Sequence, residues 1–202
     1  MPDPPATGRC APPPGRPVRA DARRNRDKIL AVARAAFSSA SETVPLDAVA
    51  REAGVGIGTL YRHFPTREAL VEAVYAAELD EVVSSAPALL AELPPDVALR
   101  EWMDRYAAFF AVKQGMSATL RAGWASGSIA TPATRERITE AIATILEAGA
   151  RAGSLRTDVA PGDVVLMLLG TFLSTTASEA PERTAPLLDL LADALRPVSR
   201  DG

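Results

Sequence analysis

Residues 46–64 read LDAVAREAGVGIGTLYRHF. The stretch divides into a short helix over Leu46–Glu52, a glycine turn, and a second helix over Ile57–Phe64. That second helix has apolar residues on one side and hydroxyl, basic and imidazole groups on the other. A two-helix unit of this size, with a polar and basic second member, is shaped to enter a duplex major groove. Pro45 suits the first turn of a helix, where its missing N–H is no loss. Val49, Val55, Leu60 and Phe64 can form the small core that sets the angle between the helices, and Ala50 and Ala53 let the backbones approach. Gly54 falls where the turn needs a positive φ, which glycine adopts without steric cost. Gly58, Thr59, Tyr61, Arg62 and His63 are left for the outward face. Hydroxyls can donate to phosphate, and Arg62 adds charge and a planar donor fork.

The pattern extends on both sides. Ile29, Ala33 and Phe37 precede it at helical spacing, and Arg67-Glu68-Ala69-Leu70 follows it. With Leu46-Asp47-Ala48-Val49-Ala50, Ala53-Gly54-Val55 and Gly58-Thr59-Leu60-Tyr61-Arg62-His63-Phe64, five spaced blocks between Arg24 and Tyr75 resemble the DNA-binding domain of the TetR family of transcriptional regulators. Gly56 stands where many members carry Ser or another polar residue. The resemblance implies a homodimer with an all-helical regulatory domain, and contacts from Thr59, Tyr61, His63 and Arg67 to the DNA backbone or base edges.

Bulk composition is compatible with this. The chain has 202 residues, 48% hydrophobic content and few aromatics, with many Ala and Leu, which favours helices. No stretch approaches the roughly 20 apolar residues of a membrane span. The N-terminus has no apolar signal region, so a cytoplasmic protein is expected. The single cysteine, Cys10, forbids an internal disulfide. The net charge of −3 hides a polarised chain: residues 1–28 hold seven Arg/Lys against three Asp, and the remainder is net acidic. Arg23 and Arg24, with Arg16 and Arg19 before them, add to a basic reading end.

Three divisions follow: a Pro/Gly/Arg-rich arm over 1–20, a helix-turn-helix DNA-binding domain over 21–67, and a helical regulatory and dimerisation domain over 68–202. Helix one is expected over Asp21–Ser39. Thr66 is a good N-cap for a helix over Arg67–Ser84, with Ala86-Pro87 punctuating its end. Further helices are expected over Asp96–Lys113, Met116–Ala125, Pro132–Ala152, Pro161–Ser178 and Thr184–Leu195. The fold class is therefore all-α. VVLMLLGTFL (Val164–Leu173) is apolar nearly all round, so a second subunit is expected to cover one side. Val165, Leu169, Phe172, Leu187, Leu191 and Leu195 are the candidate dimer interface; the family resemblance implies that these two helices pair with their copies in a four-helix bundle.

Candidate chemistry is sparse. His63 is the single histidine and has no Cys/His cluster around it, so no metal site is expected. Nothing places a serine and an acid around it for nucleophilic catalysis. Gly54-Val55-Gly56-Ile57-Gly58 follows no strand, so it reads as a turn and not a nucleotide loop. No enzyme activity and no cofactor are expected. Trp102, Tyr106, Phe110, Met116, Trp124, Met167 and Phe172 are candidates for a small-molecule pocket, while the same residues at helical spacing equally make plain core. Lys113 and Arg121 could meet an anionic ligand or stand in solvent. The expected partners are double-stranded DNA, a second copy of the chain and a small-molecule effector, with no membrane. The expected function is a ligand-responsive repressor on a palindromic operator. The alternatives are an effector-independent dimeric DNA-binding protein and a helical small-molecule-binding protein or enzyme without DNA binding.

Overall fold

The computed structural model describes residues 16–39, 44–116, 131–175 and 180–197, and the regular structure among them is entirely helical. Among the described residues eight helices follow one another: α1 (Arg16–Ser39), α2 (Leu46–Glu52), α3 (Ile57–His63), α4 (Arg67–Glu92), α5 (Pro95–Gly115), α6 (Thr131–Ala152), α7 (Pro161–Ser174) and α8 (Ala180–Ala194). The expected helix after Met116, with Arg121 and Trp124, lies outside the described residues, as does Cys10.

Helix α1 begins at Arg16, so residues 16–20, expected as part of the arm, are helical. Pro17 sits in its first turn, where a fixed φ near −65° favours the helix and no N–H is missed. Ile29, Ala33 and Phe37 form a buried stripe on α1. The stripe closes over Val49, Ala50, Leu60 and Phe64, all buried, making the core of a three-helix head. The turn after α2 is a Schellman motif: Val55 N–H donates to the Ala50 carbonyl at 3.0 Å and Gly54 N–H to Arg51 at 3.2 Å. Gly54 holds φ +68°, the conformation its place in the sequence predicts.

Helix α4 starts at its expected cap, with the Thr66 hydroxyl accepting from Ala69 N–H at 3.1 Å. It does not stop at Ser84. It runs on through Pro87 to Glu92. A mid-helix proline removes the N–H that would meet the carbonyl four residues back, here Val83. The turn is held from the side: Trp102 Nε1–H donates to the Val82 carbonyl at 3.1 Å, and Ser85 Oγ donates to the same carbonyl at 2.7 Å. Pro87 itself faces solvent. Helix α4 packs against α1, α5 and α6, so it belongs to both the head and the regulatory domain.

Two ion-pair groups tie α4 to its neighbours. The Arg34 guanidinium of α1 meets Glu78 at 2.9 Å and Glu81 at 2.7 Å. Arg137 of α6 meets Asp80 at 2.7 Å. Glu78 is buried, and burial pushes its carboxyl above the usual range; Arg34 opposes that and Glu81 adds to it.

The regulatory core gathers Leu99, Trp102, Met103, Ile138, Ile142 and Ile145 from α5 and α6 with Val164, Leu168 and Leu188 from α7 and α8, all buried. Gly149 in α6 lies directly under Leu155. A Cβ at position 149 would fall on the Leu155 side chain, within 2.7 Å of its Cβ, an atom that no rotamer change can move away. Gly149→Ala should therefore destabilise the fold by about 1–2 kcal/mol, because overpacking outweighs the gain in helix propensity. Urea unfolding checks this; a more stable variant would show that the α6–α7 connection yields freely.

Candidate nucleic-acid interface and regulatory cavity

The head presents one solvent-facing arc on α3. Ile57 (44% exposed) and Tyr61 (47%) flank Gly58 and Arg62, also exposed, at the spacing of one helix face. Leu60 and Phe64 hold the opposite face in the core. Thr59 and His63 lie between the two faces, half-buried. Arg62 lies along its own helix, with Nε donating to the Gly58 carbonyl at 3.3 Å. The arc thus joins a phenol, a guanidinium and a bare glycine backbone, the chemistry of phosphate contact and close groove approach.

Arg67 is placed differently from the expectation that it stands on this arc. It is half-buried, donates to the Val44 carbonyl and lies 5.8 Å from the Phe37 ring centre. Its geometry pins the start of α4 to the chain entering α2. Arg26, which the sequence pattern did not single out, covers the Phe64 ring at 4.8 Å and braces the end of α3. Arg23 and Arg24 stand exposed on α1, with Arg24 paired to Asp21. The side chains of Arg16 and Arg19 lie outside the described residues.

The regulatory domain holds a cavity of about 880 Å³ between α5, α6 and α7. Tyr106, Phe109, Phe110 and Lys113 line it from α5, Thr134, Arg135, Glu136, Ile138, Thr139 and Glu140 from α6, and Val165 and Leu169 from α7. Of the expected pocket residues, Tyr106 and Phe110 are therefore on its wall. Trp102 is not: it is fully buried with its N–H satisfied. Met116 is core, and Phe172 is buried against Phe110 and Tyr106, with ring centres 5.2 and 5.5 Å apart, behind the wall. Met167 faces solvent at 53% exposure. Aromatic spacing alone does not separate residues facing a void from those packed behind it. The polar wall of α6 carries no apolar signal that could have announced it.

A chain of contacts runs from the cavity to α4. Tyr75 Oη lies 2.9 Å from Thr134 Oγ1, and its ring packs 5.6 Å from that of Phe109; both partners line the cavity. Burial pushes the Tyr75 phenol above its ordinary value, and burial drives Tyr106 up to about 12. Burial lowers Lys113 below the ordinary lysine range.

The expected dimer face also needs correction. Val165, Phe172, Leu191 and Leu195 are buried in this chain's own core, and Leu169 is half-buried on the cavity wall. Only Leu187, at 37%, is exposed among the six. The apolar arc left to solvent is Leu166 (53%), Met167 (53%) and Leu173 (72%) on α7, beside Leu187 and Leu190 (66%) on α8. A helix apolar all round does not declare which arc its own subunit uses. Among the described residues there is no group of His, Cys, Asp and Glu able to hold a metal, and no helix long and apolar enough to cross a membrane.

A head built on a glycine turn and an exposed short helix, mounted on a helical domain with a cavity, defines a helix-turn-helix regulator. Residues 29–74 match the family described as bacterial regulatory proteins, tetR family, and residues 94–197 match the C-terminal domain described as transcriptional regulator SbtR-like. The chain belongs to the TetR family of transcriptional regulators, which bind DNA and are not enzymes. It is similar to the crystal structure of a TetR transcriptional regulator from Streptomyces coelicolor, 44% identical, over 86% of this chain and 99% of that one, with a TM-score of 0.79. A TetR transcription regulatory protein from Mycobacterium vanbaalenii is 34% identical over 90% of this chain and all of that one, with a TM-score of 0.70. An HTH-type transcriptional regulator of Staphylococcus aureus is 38% identical over 64 residues, 31% of this chain, and the match spans only 35% of that curated relative.

Proposed function

We propose that this chain is a homodimeric, ligand-responsive repressor that acts on a palindromic operator in the cytoplasm. The observation that carries the ligand response is the cavity wall itself. Thr134 and Phe109, which a bound molecule would press on, are the groups that Tyr75 of α4 touches. Helix α4 starts directly after the recognition helix and carries the Arg34 ion pairs to α1. A ligand that prefers one arrangement of α4 over another shifts the head with it. Two copies related by a two-fold axis would set their α3 helices about 34–36 Å apart, one turn of duplex. Selection of bound sites from random DNA tests this; an inverted repeat is expected, and enrichment of single unrepeated sites would overturn the dimeric operator.

Within the head, Tyr61, Arg62, Thr59 and His63 are assigned to DNA, with Gly58 allowing close approach and Arg23 and Arg24 supplying charge from α1. Arg67 is assigned to holding the head in place beside the phosphate backbone. Tyr61 is exposed and its hydroxyl is suited to phosphate, which carries no sequence information. Tyr61→Phe should weaken operator binding about three- to tenfold, the net worth of one typical hydrogen bond in a solvated interface, and leave the selected consensus unchanged. Fluorescence anisotropy with wild-type and scrambled operators checks both halves; an altered consensus would make Tyr61 a base reader.

A further inference from the structure

The head carries an apolar side chain that its own fold does not use. Ile57 lies in the first turn of α3, is 44% exposed and takes no part in the head's core. Among the described residues, the other large hydrophobic side chain that the head leaves to solvent is Tyr61, one turn further along the same face. Isoleucines scattered singly over a surface are ordinary. This one stands on the arc assigned to DNA, and its neighbours decide what it can do there.

Gly56 and Gly58 flank it. A Cβ at either would meet nothing within 4 Å, and neither holds a positive φ, so the fold itself does not call for glycine at these positions. Gly58 even weakens the helix. Bare backbone on both sides leaves Ile57 standing clear and lets an outside surface close on it. The Arg62 guanidinium lies back toward the same end of α3, with Nε on the Gly58 carbonyl and Nη2 3.5 Å from Thr59 Oγ1. One stretch of helix thus offers a groove two readers of opposite kind. A guanidinium pairs with guanine O6 and N7. An isoleucine donates and accepts nothing, and the apolar group that a major groove displays is the C5 methyl of thymine.

We propose that Ile57 is a specificity-determining residue that selects thymine by packing on its C5 methyl, and this rests on the proposed entry of α3 into the major groove. A thymine buries its methyl against the side chain. Any other base presents a donor or acceptor there, which isoleucine would strip of water without pairing it. Selection therefore combines an attraction for the methyl with a rejection of its competitors. The branched side chain is stiff at χ1, so little rotamer freedom is lost on contact.

The test is a cycle between one methyl on the DNA and one side chain on the protein. A duplex selected from random DNA by the wild-type chain is remade with deoxyuridine replacing one thymidine at a time. That removes the methyl and keeps the base pair. By fluorescence anisotropy, the wild type should lose about fourfold in affinity at one such position in each half-site, the worth of one buried methyl. Ile57→Ala should bind the thymidine duplex more weakly and no longer distinguish it from the deoxyuridine duplex at that position. Ile57→Val should keep the distinction. Arg62→Ala should weaken binding and keep the distinction in full. Circular dichroism confirms that each variant folds. A wild type that distinguishes the duplexes nowhere, or a methyl dependence that survives in Ile57→Ala, would overturn the thymine contact; weakened binding by Arg62→Ala would then still leave α3 in the groove. Unchanged affinity in both Ile57→Ala and Arg62→Ala would remove α3 from the groove and the thymine contact with it.

Discussion

Leu173→Glu should yield a folded monomer that has lost at least about 100-fold in operator affinity. Leu173 is 72% exposed in the single chain, so a carboxylate there costs the subunit's own core nothing. It would stand on the apolar arc formed with Leu166, Met167, Leu187 and Leu190. In a two-fold interface the same residue meets its environment twice, so one substitution places two charges in one desolvated patch. Without the partner, each head binds a half-site alone and forfeits the effective concentration that linkage supplies, a factor of about 10²–10⁴. Sedimentation gives the mass and anisotropy gives the affinity. A dimer that persists in both Leu173→Glu and Leu166→Glu would place the interface away from α7. Leu191→Glu is the wrong probe of the same question, because Leu191 is 5% exposed and its charge would fall in the monomer core.

Trp102→Ala should cost about 3–5 kcal/mol of stability, among the largest effects available to a single substitution here. The indole is fully buried, packs 5.4 Å from the Tyr106 ring and braces the turn of α4 that Pro87 weakens. Trp102→Phe keeps most of the packing and loses the bond to Val82, so it should cost about 1–2 kcal/mol. For a chain of this size the two variants should melt about 6–20 °C and about 2–8 °C below the wild type, at 2–4 °C per kcal/mol. Because Trp102 is not on the cavity wall, both variants should match the wild type in binding the apolar dye N-phenyl-1-naphthylamine, well below their melting temperatures. Loss of dye binding by a fully folded Trp102→Phe would put the indole back in the pocket.

What the sequence made legible was local. The head is coded by residues close together in the chain: the Gly54 turn, the Thr66 cap and the Ile29, Ala33, Phe37 stripe each announce themselves within a few positions. The polar arc of Tyr61 and Arg62 opposes Leu60 and Phe64 on the same short helix, so its direction was fixed as well. Arg67 was legible as a basic residue and not as a bond to Val44, because its partner lies 23 residues away. In the regulatory domain the choice is made by tertiary packing. Val165 and Leu166 are neighbours of the same type, yet one is buried at the cavity and the other faces solvent. Nothing in their identity distinguishes them. The polar wall of the cavity escaped for the same reason in reverse: Thr134, Arg135, Glu136 and Thr139 look like an ordinary wet helix face until α5 is set against it. Pro87 read as a helix end because a proline weakens a helix wherever it stands; here its ring faces solvent and the adjoining turn is held by the indole packed from α5.

The grip of Arg34 on α4 limits how the head can respond. One guanidinium spans Glu78 and Glu81, which stand nearly one turn apart along α4. Sliding α1 along α4 would carry the guanidinium off Glu78, leaving a carboxylate that is 4% exposed without its counterion. Breaking a fully buried pair from one side costs about 3–5 kcal/mol; with the Arg34 side chain 42% exposed the cost here is smaller, comparable to the about 1–3 kcal/mol an effector usually contributes to coupling. A motion that carries α1 and α4 together leaves both pairs intact. Under the proposed effector response, sliding α1 along α4 is thus the more costly motion, and α3 would change its pitch in the groove with the head carried as one piece.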